Sequence, residues 1–285
     1  MRILVTGASG QLGYDICAKL HNSKIDYLGT DRKSLDITNK DDVYKTIYNY
    51  KPTVIIHCAA YTAVDKAEDE KELCYNVNVK GTEYIAKAAN NLNAKMAYIS
   101  TDYIFDGKKN GYYDVSDIPN PLNHYGKTKL EGENIVKQLV DKYFIIRTSW
   151  VFGINGNNFI KTMLKLGKKQ DSIDVVSDQI GCPTYTHDLA ELVIGMVQTD
   201  KYGIYNATNE EECAWAEFAD FIFKIANMNI HINNISTEEY PTKAVRPKNS
   251  RLDKTCLDKA GFNRLPTWQN AVVRYTNSLK AANLY

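Results

Sequence analysis

A strand-like run that ends in a glycine-rich turn, at the start of the chain, constrains the fold more than any other feature. The segment RILVT is followed by GASGQLG, which places glycines at Gly7, Gly10 and Gly13 ahead of a helix-like stretch. Glycine permits a tight turn with positive φ and lets the backbone approach a ligand closely. The helix that follows presents unpaired N–H groups and a partial positive charge to a pyrophosphate. The order strand, turn, helix therefore predicts the nucleotide-binding edge of a dinucleotide fold.

The first half of the chain repeats this alternation of short apolar runs and longer amphipathic stretches. Strand-like runs recur at DYLGTD, PTVIIHCAA, AKMAYIST and YFIIRTSW, and helices are predicted between them, including a long one over 71–92 and another over 125–139. Runs rich in Val, Ile and Tyr without polar alternation indicate strands buried on both faces. We therefore predict an α/β protein with a Rossmann-type, doubly wound parallel sheet.

The second half has a looser pattern, and we expect it to form a smaller, interleaved lobe. Residues 1–150 are predicted to form the NAD(P)-binding Rossmann domain, with later elements near 173–208 returning to its sheet. Residues 151–285 are predicted to form mainly the substrate-binding lobe. No clean linker marks a boundary between the two, so we expect the split to be interleaved.

Composition excludes several other classes of protein. The net charge of +1 gives no electrostatic reason to expect nucleic acid or an anionic membrane as a partner. No apolar segment approaches the roughly 20 residues that a bilayer span requires, and the apolar part of the N-terminus is short for a signal peptide. The six cysteines form no C-x-x-C pair, which is unfavourable for zinc and typical of small buried side chains. These features predict a cytoplasmic protein.

An acidic residue at the end of the second strand supports dinucleotide binding. Asp31 lies where a carboxylate accepts hydrogen bonds from the adenine-ribose hydroxyls, which favours NADH slightly. Arg32 follows it directly, and a guanidinium there binds a 2′-phosphate or stacks on adenine, which keeps NADPH open.

The pair Tyr125 and Lys129 carries the predicted chemistry, together with Thr101 at the end of the fourth strand. Their Y-x-x-x-K spacing puts both side chains on one face of a helix. A neighbouring ammonium is expected to lower the pKa of a phenol from about 10. Such a Tyr donates a proton to a carbonyl oxygen as hydride reaches the carbon, while Thr101 bonds the same oxygen.

Several motifs follow one another along the chain: GASGQLG, CAAYTAVDKAE, STDYIFDG, YGKTK and RTSWVFG, and then NNFIKTML, DQIGCPT and RPKNSRL. Together they resemble the extended short-chain dehydrogenases/reductases and, within them, the dTDP-4-dehydrorhamnose reductase family. The resemblance implies reduction of the C4 ketone of dTDP-4-dehydro-L-rhamnose by NADH or NADPH.

The resemblance also implies two sets of binding residues. It assigns cofactor contacts to the glycine-rich turn, the second strand end and the third strand end, at Gly10, Gln11, Leu12, Asp31, Asp36, Ile37, Ala59, Ala60 and Thr62. It assigns sugar-nucleotide contacts to Thr101, Asp102 and Trp150. Arg246, in the loop VRPKNS, suits the diphosphate because its planar fork matches phosphate oxygens.

Two alternatives stay open at this stage. One is a nucleotide-sugar epimerase or dehydratase of the same superfamily. A dehydratase needs an acid–base pair near the catalytic Thr, and that pair is absent here because Asp102 is followed by Tyr103. The other is a non-catalytic regulatory subunit resembling that of methionine adenosyltransferase. Some relatives dimerise through magnesium-bound glutamates, but this chain has Asp15 in its first helix and a tail, SLKAANLY, without Glu. We therefore predict no metal in the site, and a monomer or homodimer.

Overall fold

A six-stranded sheet organises the first half of the protein, which we describe from a computed structural model covering residues 1–284. Its strands are β1 (Arg2–Thr6), β2 (Asp26–Thr30), β3 (Val54–His57), β4 (Lys95–Thr101), β5 (Tyr143–Thr148) and β10 (Gly203–Asn206). They lie in the order β2-β1-β3-β4-β5-β10, and every neighbouring pair is parallel. The predicted doubly wound parallel sheet is confirmed.

Burial on both faces explains the apolar strands. Ile3, Leu4 and Val5 are successive residues that point to opposite faces, yet all are fully buried. Two helices cover one face, α1 (Gln11–Asn22) and α7 (Thr186–Val197). Three cover the other, α2 (Lys40–Tyr50), α4 (Thr82–Asn91) and α5 (His124–Leu139). A parallel sheet sandwiched in this way has no solvated face on which polar side chains would alternate.

The long helix predicted over 71–92 is interrupted. The chain forms α3 (Lys71–Tyr75), a π turn (Asn76–Gly81) and then α4. Within the turn, the Asn78 side chain accepts a hydrogen bond from Tyr61 N (2.8 Å) and donates one to Tyr61 O (3.2 Å). An α-helical pattern cannot foresee this bulge, because its stabilising contacts come from the loop after β3. Such π bulges occur frequently at functional sites.

The remaining elements form a smaller unit around an aromatic core. Its strands form short pairs: β6 (Val151–Phe152) with β9 (Thr184–Tyr185), β7 (Ser172–Val176) with β12 (His231–Ile235), and β8 (Ile180–Gly181) with β11 (Cys213–Ala214). Its helices include α6 (Phe159–Gly167), α8 (Trp215–Ala226) and α10 (Trp268–Ala281). The short helix α9 (Thr255–Lys259) packs beside β10. Within 173–208, α7 packs on the large sheet and β10 is one of its strands, whereas β7 stays in the smaller unit.

The strand order places a cleft between β1 and β3. The chain leaves β1 towards β2 on one side and returns to β3 on the other, so the loops after β1 and β3 diverge. Ligands of open α/β sheets bind in this crevice, outside the carboxyl ends of the strands. No helix within residues 1–284 combines the length and apolar character that a bilayer crossing needs.

Candidate active site

A cavity of about 970 Å³ opens at the carboxyl ends of the sheet strands, and both units line it. All the residues predicted to bind cofactor or to act in catalysis lie on its wall, namely Gly7, Gly10, Gln11, Leu12, Gly13, Asp31, Arg32, Asp36, Ile37, Ala59, Ala60, Thr62, Thr101, Tyr125 and Lys129. Asp102 and Trp150, predicted to bind substrate, line it as well, but Arg246 does not.

The glycine-rich turn forms one end of the cavity. Gly7 has φ +69°, and a Cβ built there would lie 2.7 Å from the backbone N of Ala59. A Cβ on Gly13 would lie 2.2 Å from Gly7 O, so α1 approaches the turn more closely than any side chain permits. Gly10 caps α1 without a side-chain acceptor, which leaves the first N–H groups of the helix available to an anion. This arrangement fits the pyrophosphate of a dinucleotide.

The loop after β2 supplies an ordered acidic edge. Asp31 Oδ1 accepts hydrogen bonds from Ser34 N (3.0 Å), Ser34 Oγ (2.9 Å) and Lys33 N (3.1 Å), which lower the pKa of Asp31. Asp36 Oδ1 accepts bonds from the hydroxyl (2.7 Å) and backbone N (2.9 Å) of Thr38, and these lower its pKa too. Both carboxylates therefore stay ionised and keep fixed orientations.

An apolar slot beside this edge was missed by sequence reasoning, apart from Ile37. Leu35, Ile37, Leu73 and Val77 all line the cavity. Such a slot suits the flat adenine ring. The spacing of Leu73 and Val77, four residues apart on a helical stretch, was an available signal.

Thr101, Tyr125 and Lys129 meet in the cavity where β4 ends and α5 begins. Thr101 is the last residue of β4, and its hydroxyl donates to Asp102 Oδ1 (2.9 Å) and lies near the Tyr125 phenol. Tyr125 and Lys129 lie one turn apart at the start of α5, which Asn123 caps by accepting a bond from Gly126 N (2.8 Å). The sequence prediction brought together these three side chains, and the structure places them on one wall.

The predicted lowering of the Tyr125 pKa by Lys129 is wrong for this structure. The Lys129 ammonium donates to Ile99 O (2.7 Å) and lies 4.0 Å from the centre of the Tyr98 ring. Burial dominates both groups: it raises the pKa of Tyr125 and lowers the pKa of Lys129 to about 7. Tyr125 is therefore a neutral phenol at neutral pH, a form that can donate a proton.

A buried ion pair lies one helical turn from Lys129, and sequence reasoning missed it. Glu133, one turn further along α5, accepts bonds from Arg147 Nη2 (2.8 Å) and Ser100 Oγ (2.6 Å). Both members of the pair are almost fully buried. The spacing Y-x-x-x-K-x-x-x-E in the sequence places Glu133 on the same helix face, and it was the signal that could have identified this residue.

Asp102 is the most unusual polar group on the cavity wall. Its side chain is only 2% exposed, and its Oδ2 atom makes no hydrogen bond to the described residues. Burial raises the pKa of Asp102 to about 6, and the nearby Ser250 hydroxyl and Thr101 offset part of that rise. A buried acceptor without a partner at a cavity wall matches a ligand that carries hydroxyl groups.

Trp150 forms part of the opposite wall, with one face already occupied. Its indole stacks on Trp215 at 3.5 Å between ring centres and 9° between planes. Its backbone has φ +47°, an uncommon conformation for a bulky residue, and Gly181 leaves room for the ring. Packing alone therefore explains much of its position, and its other surface faces the cavity.

Arg246 lies outside the cavity wall. Its two terminal nitrogens donate to both oxygens of Asp65, at 3.1 and 2.7 Å. The guanidinium lies near Tyr103, which does line the cavity, and it offsets part of the rise that burial causes in the pKa of Tyr103. Among the described residues, no group of three or more His, Cys, Asp or Glu side chains is arranged to hold a metal ion.

Comparisons with known proteins agree with this geometry. The family model described as the RmlD substrate binding domain matches residues 1–281. The dTDP-4-dehydrorhamnose reductase of Aggregatibacter actinomycetemcomitans is 46% identical over 284 residues, covering 95% of this chain and 97% of the relative.

Two crystal structures of similar proteins superpose closely. One is the dTDP-4-dehydrorhamnose reductase of Bacillus anthracis in complex with NADP, with TM-score 0.95, 44% identity, and 97% of this chain and 99% of that chain covered. The other is the dTDP-4-dehydrorhamnose reductase of Clostridium acetobutylicum, with TM-score 0.96, 42% identity, and 98% and 100% covered. The similarity in each case extends over both units of the fold.

Proposed function

Because this chain belongs to the RmlD substrate binding domain family, we propose that it reduces the C4 ketone of dTDP-4-dehydro-L-rhamnose to dTDP-L-rhamnose with NADPH or NADH. The relatives named above carry this activity in their names, and they match nearly the full length of the chain. The observation that carries the proposal is the meeting of Thr101, Tyr125 and Lys129 in the same cavity as the glycine-rich turn.

The cofactor end of the cavity fits a dinucleotide. The uncapped start of α1 suits the pyrophosphate, Asp31 and Asp36 suit ribose and adenine donors, and Ala59, Ala60 and Thr62 let the backbone after β3 approach. We propose Gly7, Gly10, Gln11, Leu12, Gly13 and Ile37 as further contacts, with Arg32 available to a 2′-phosphate. When bound, the reduced nicotinamide supplies the hydride that reduces the ketone carbon.

The residues of the chain supply the proton and hold the sugar. Tyr125 donates its phenolic proton to the C4 oxygen, so that ketone, hydride and proton together give the alcohol. Thr101 bonds the same oxygen once its hydroxyl proton, directed at Asp102 in the structure, rotates towards the cavity. Lys129 stays against β4 and binds the nicotinamide ribose. We propose Asp102 as an acceptor for a sugar hydroxyl and Trp150 as an apolar wall.

We propose that the two units of the fold divide the work of the reaction. Residues 1–150, with α7 and β10, form the cofactor-binding domain, and most of 151–285 forms the substrate-binding lobe. All six cysteines are free thiols, which is the state that a reducing compartment maintains. We therefore propose a cytoplasmic enzyme. A monomer or a homodimer, without an active-site metal, is compatible with this reaction.

A direct assay tests the proposed function. The purified protein is mixed with dTDP-4-dehydro-L-rhamnose and either NADPH or NADH, and the absorbance of the reduced nicotinamide is followed together with the sugar product. We expect stoichiometric oxidation of cofactor and formation of dTDP-L-rhamnose. Product without net cofactor oxidation would indicate an epimerase, loss of water a dehydratase, and cofactor binding without any turnover a regulatory protein.

A further inference from the structure

The segment Lys243–Arg246, called here the 243–246 loop, belongs to the smaller unit but is bonded to the larger one. Asp65, in the stretch after β3, accepts three hydrogen bonds from it. Two come from the Arg246 guanidinium, at 3.1 and 2.7 Å, and one from the backbone N of Ala244, at 3.1 Å. A bidentate Arg–carboxylate pair fixes orientation as well as distance. Asp65 therefore holds both the side chain and the backbone of the loop.

The same loop contacts the start of the helix that carries Tyr125. Val245 O accepts a hydrogen bond from Asn123 Nδ2 (2.9 Å), while Asn123 Oδ1 caps the helix at Gly126 N (2.8 Å). Asn123 is almost fully buried, so its amide has no solvent alternative to the loop carbonyl. The cap residue of α5 is thus oriented by a segment more than a hundred residues away.

A second route from the loop reaches Tyr125 through an aromatic contact. Burial raises the pKa of Tyr103, and the nearby Arg246 guanidinium offsets part of that rise, so the two side chains are neighbours. The Tyr103 ring packs edge-on against the Tyr125 ring, with 5.6 Å between centres and 77° between planes. Displacement of Arg246 would therefore change the surroundings of Tyr103, whose ring forms one wall of the Tyr125 site.

We propose that Asp65 is a positioning residue: by holding the 243–246 loop, it fixes Tyr125 through Asn123 and Tyr103. Asp65 itself touches neither the phenol nor any other predicted reacting group in the structure. Its effect on turnover rests on the reduction proposed above. Its effect on the order of the helix start is independent of that function.

A matched control exists in the same loop. Lys243 forms an ion pair with Asp69, which connects the same two parts of the chain as the pair formed by Arg246 and Asp65. The Lys243 and Asp69 side chains are 53% and 59% exposed, whereas those of Arg246 and Asp65 are 23% and 44% exposed. Exposed ion pairs contribute little, because solvent screens them. Asp69→Asn removes the same charge without disturbing the buried contacts.

The experiment compares Asp65→Asn, Asp69→Asn and the double variant Asp65→Asn/Arg246→Gln with the unmodified protein. Hydrogen–deuterium exchange is followed for peptides covering 123–129 and 240–247. For Asp65→Asn we expect about tenfold faster exchange in both peptides, since a charge-assisted pair is lost. For Asp69→Asn we expect faster exchange in neither peptide.

Steady-state kinetics provide the second readout. We expect Asp65→Asn to lower kcat about tenfold while the Kd for NADPH, measured by fluorescence, changes less than twofold. The single variant Arg246→Gln is measured as well. Because Asp65 and Arg246 act through one contact, the kcat of the double variant should be no lower than that of the slower single variant, Asp65→Asn or Arg246→Gln. Asp69→Asn should match the unmodified protein.

Three results would overturn the proposal. The first is an exchange rate in 123–129 that is the same for Asp65→Asn and Asp69→Asn. The second is a kcat of Asp65→Asn equal to that of Asp69→Asn. The third is a double variant in which the two single losses of kcat add fully. If the unmodified protein reduces no sugar nucleotide, the proposed function fails, and the exchange comparison still decides the role of Asp65.

Discussion

The two ends of the cavity are built in different ways. At the cofactor end, many of the bonds that shape the wall join near neighbours in sequence: Gly10 to Gly7, Ser34 to Asp31 and Thr38 to Asp36. One long-range bond also reaches this end, from Gly153 N to Gln11 Oε1 (2.9 Å). At the substrate end, Arg246 meets Asp65 across 181 residues, and Trp150 stacks on Trp215. The loops that carry Asp31 and Asp36 can therefore order locally, whereas the contacts of Arg246 exist only when both units are folded together.

Tyr125 lies between these two ends, and its removal is expected to have the largest effect. In Tyr125→Phe the proton donor is lost while the ring remains, so we expect kcat to fall by roughly 10²–10⁴. The cofactor end does not use the hydroxyl for its own shape, so the Kd for NADPH should change by less than about twofold. Turnover comes from the coupled absorbance assay and Kd from the fluorescence of the reduced nicotinamide.

A variant with unchanged turnover would remove Tyr125 from the mechanism. A large loss of cofactor affinity would instead show that the two ends are not separable at this residue. Circular dichroism of the variant serves as the control for folding.

The difference between the two ends also explains what the sequence could predict. The alternation of apolar runs and helices indicated the sheet, and the glycine spacing indicated the turn, because both depend on contacts within one βαβ unit. The partner of Arg246 could not be foreseen, since the fold alone brings Asp65 to it. The direction in which the Tyr125 pKa shifts was predicted wrongly because it depends on burial, which the neighbouring residues in the sequence do not reveal.

A substitution in the glycine-rich turn should affect the cofactor end alone. In Gly13→Ala the added Cβ would lie 2.2 Å from Gly7 O, so the helix or the turn must shift. Overpacking of this kind costs about 1–3 kcal/mol. Where that cost falls on the nucleotide site, NADPH binds roughly 5- to 150-fold more weakly. Binding is measured by titration, without any sugar substrate.

The control for this variant is Gly195→Ala in α7, where a Cβ would meet nothing within 4 Å. Alanine stabilises a helix relative to glycine, so its melting temperature should rise slightly and its NADPH affinity should not change. Equal affinities for Gly13→Ala and Gly195→Ala would contradict the close approach of α1 to the turn.

The smallest expected effect concerns stability at the boundary between the two ends, where Lys129 is buried. Burial lowers the folded-state pKa of Lys129 to about 7, against about 10.4 when the chain is unfolded. Below pH 7 the buried ammonium is charged in both states and its desolvation destabilises the fold. Between pH 7 and about 10 the unfolded chain binds more protons, so the free energy of unfolding rises with pH. Lys129→Met removes the charge, and we expect it to melt about 5 °C higher than the unmodified protein at pH 6. That difference should shrink steadily towards pH 10 in calorimetric melts without added cofactor, although the variant has lost turnover.

A variant that melts lower at pH 6 would mean that the Ile99 carbonyl, the Tyr98 ring and Glu133 together outweigh the desolvation of the ammonium.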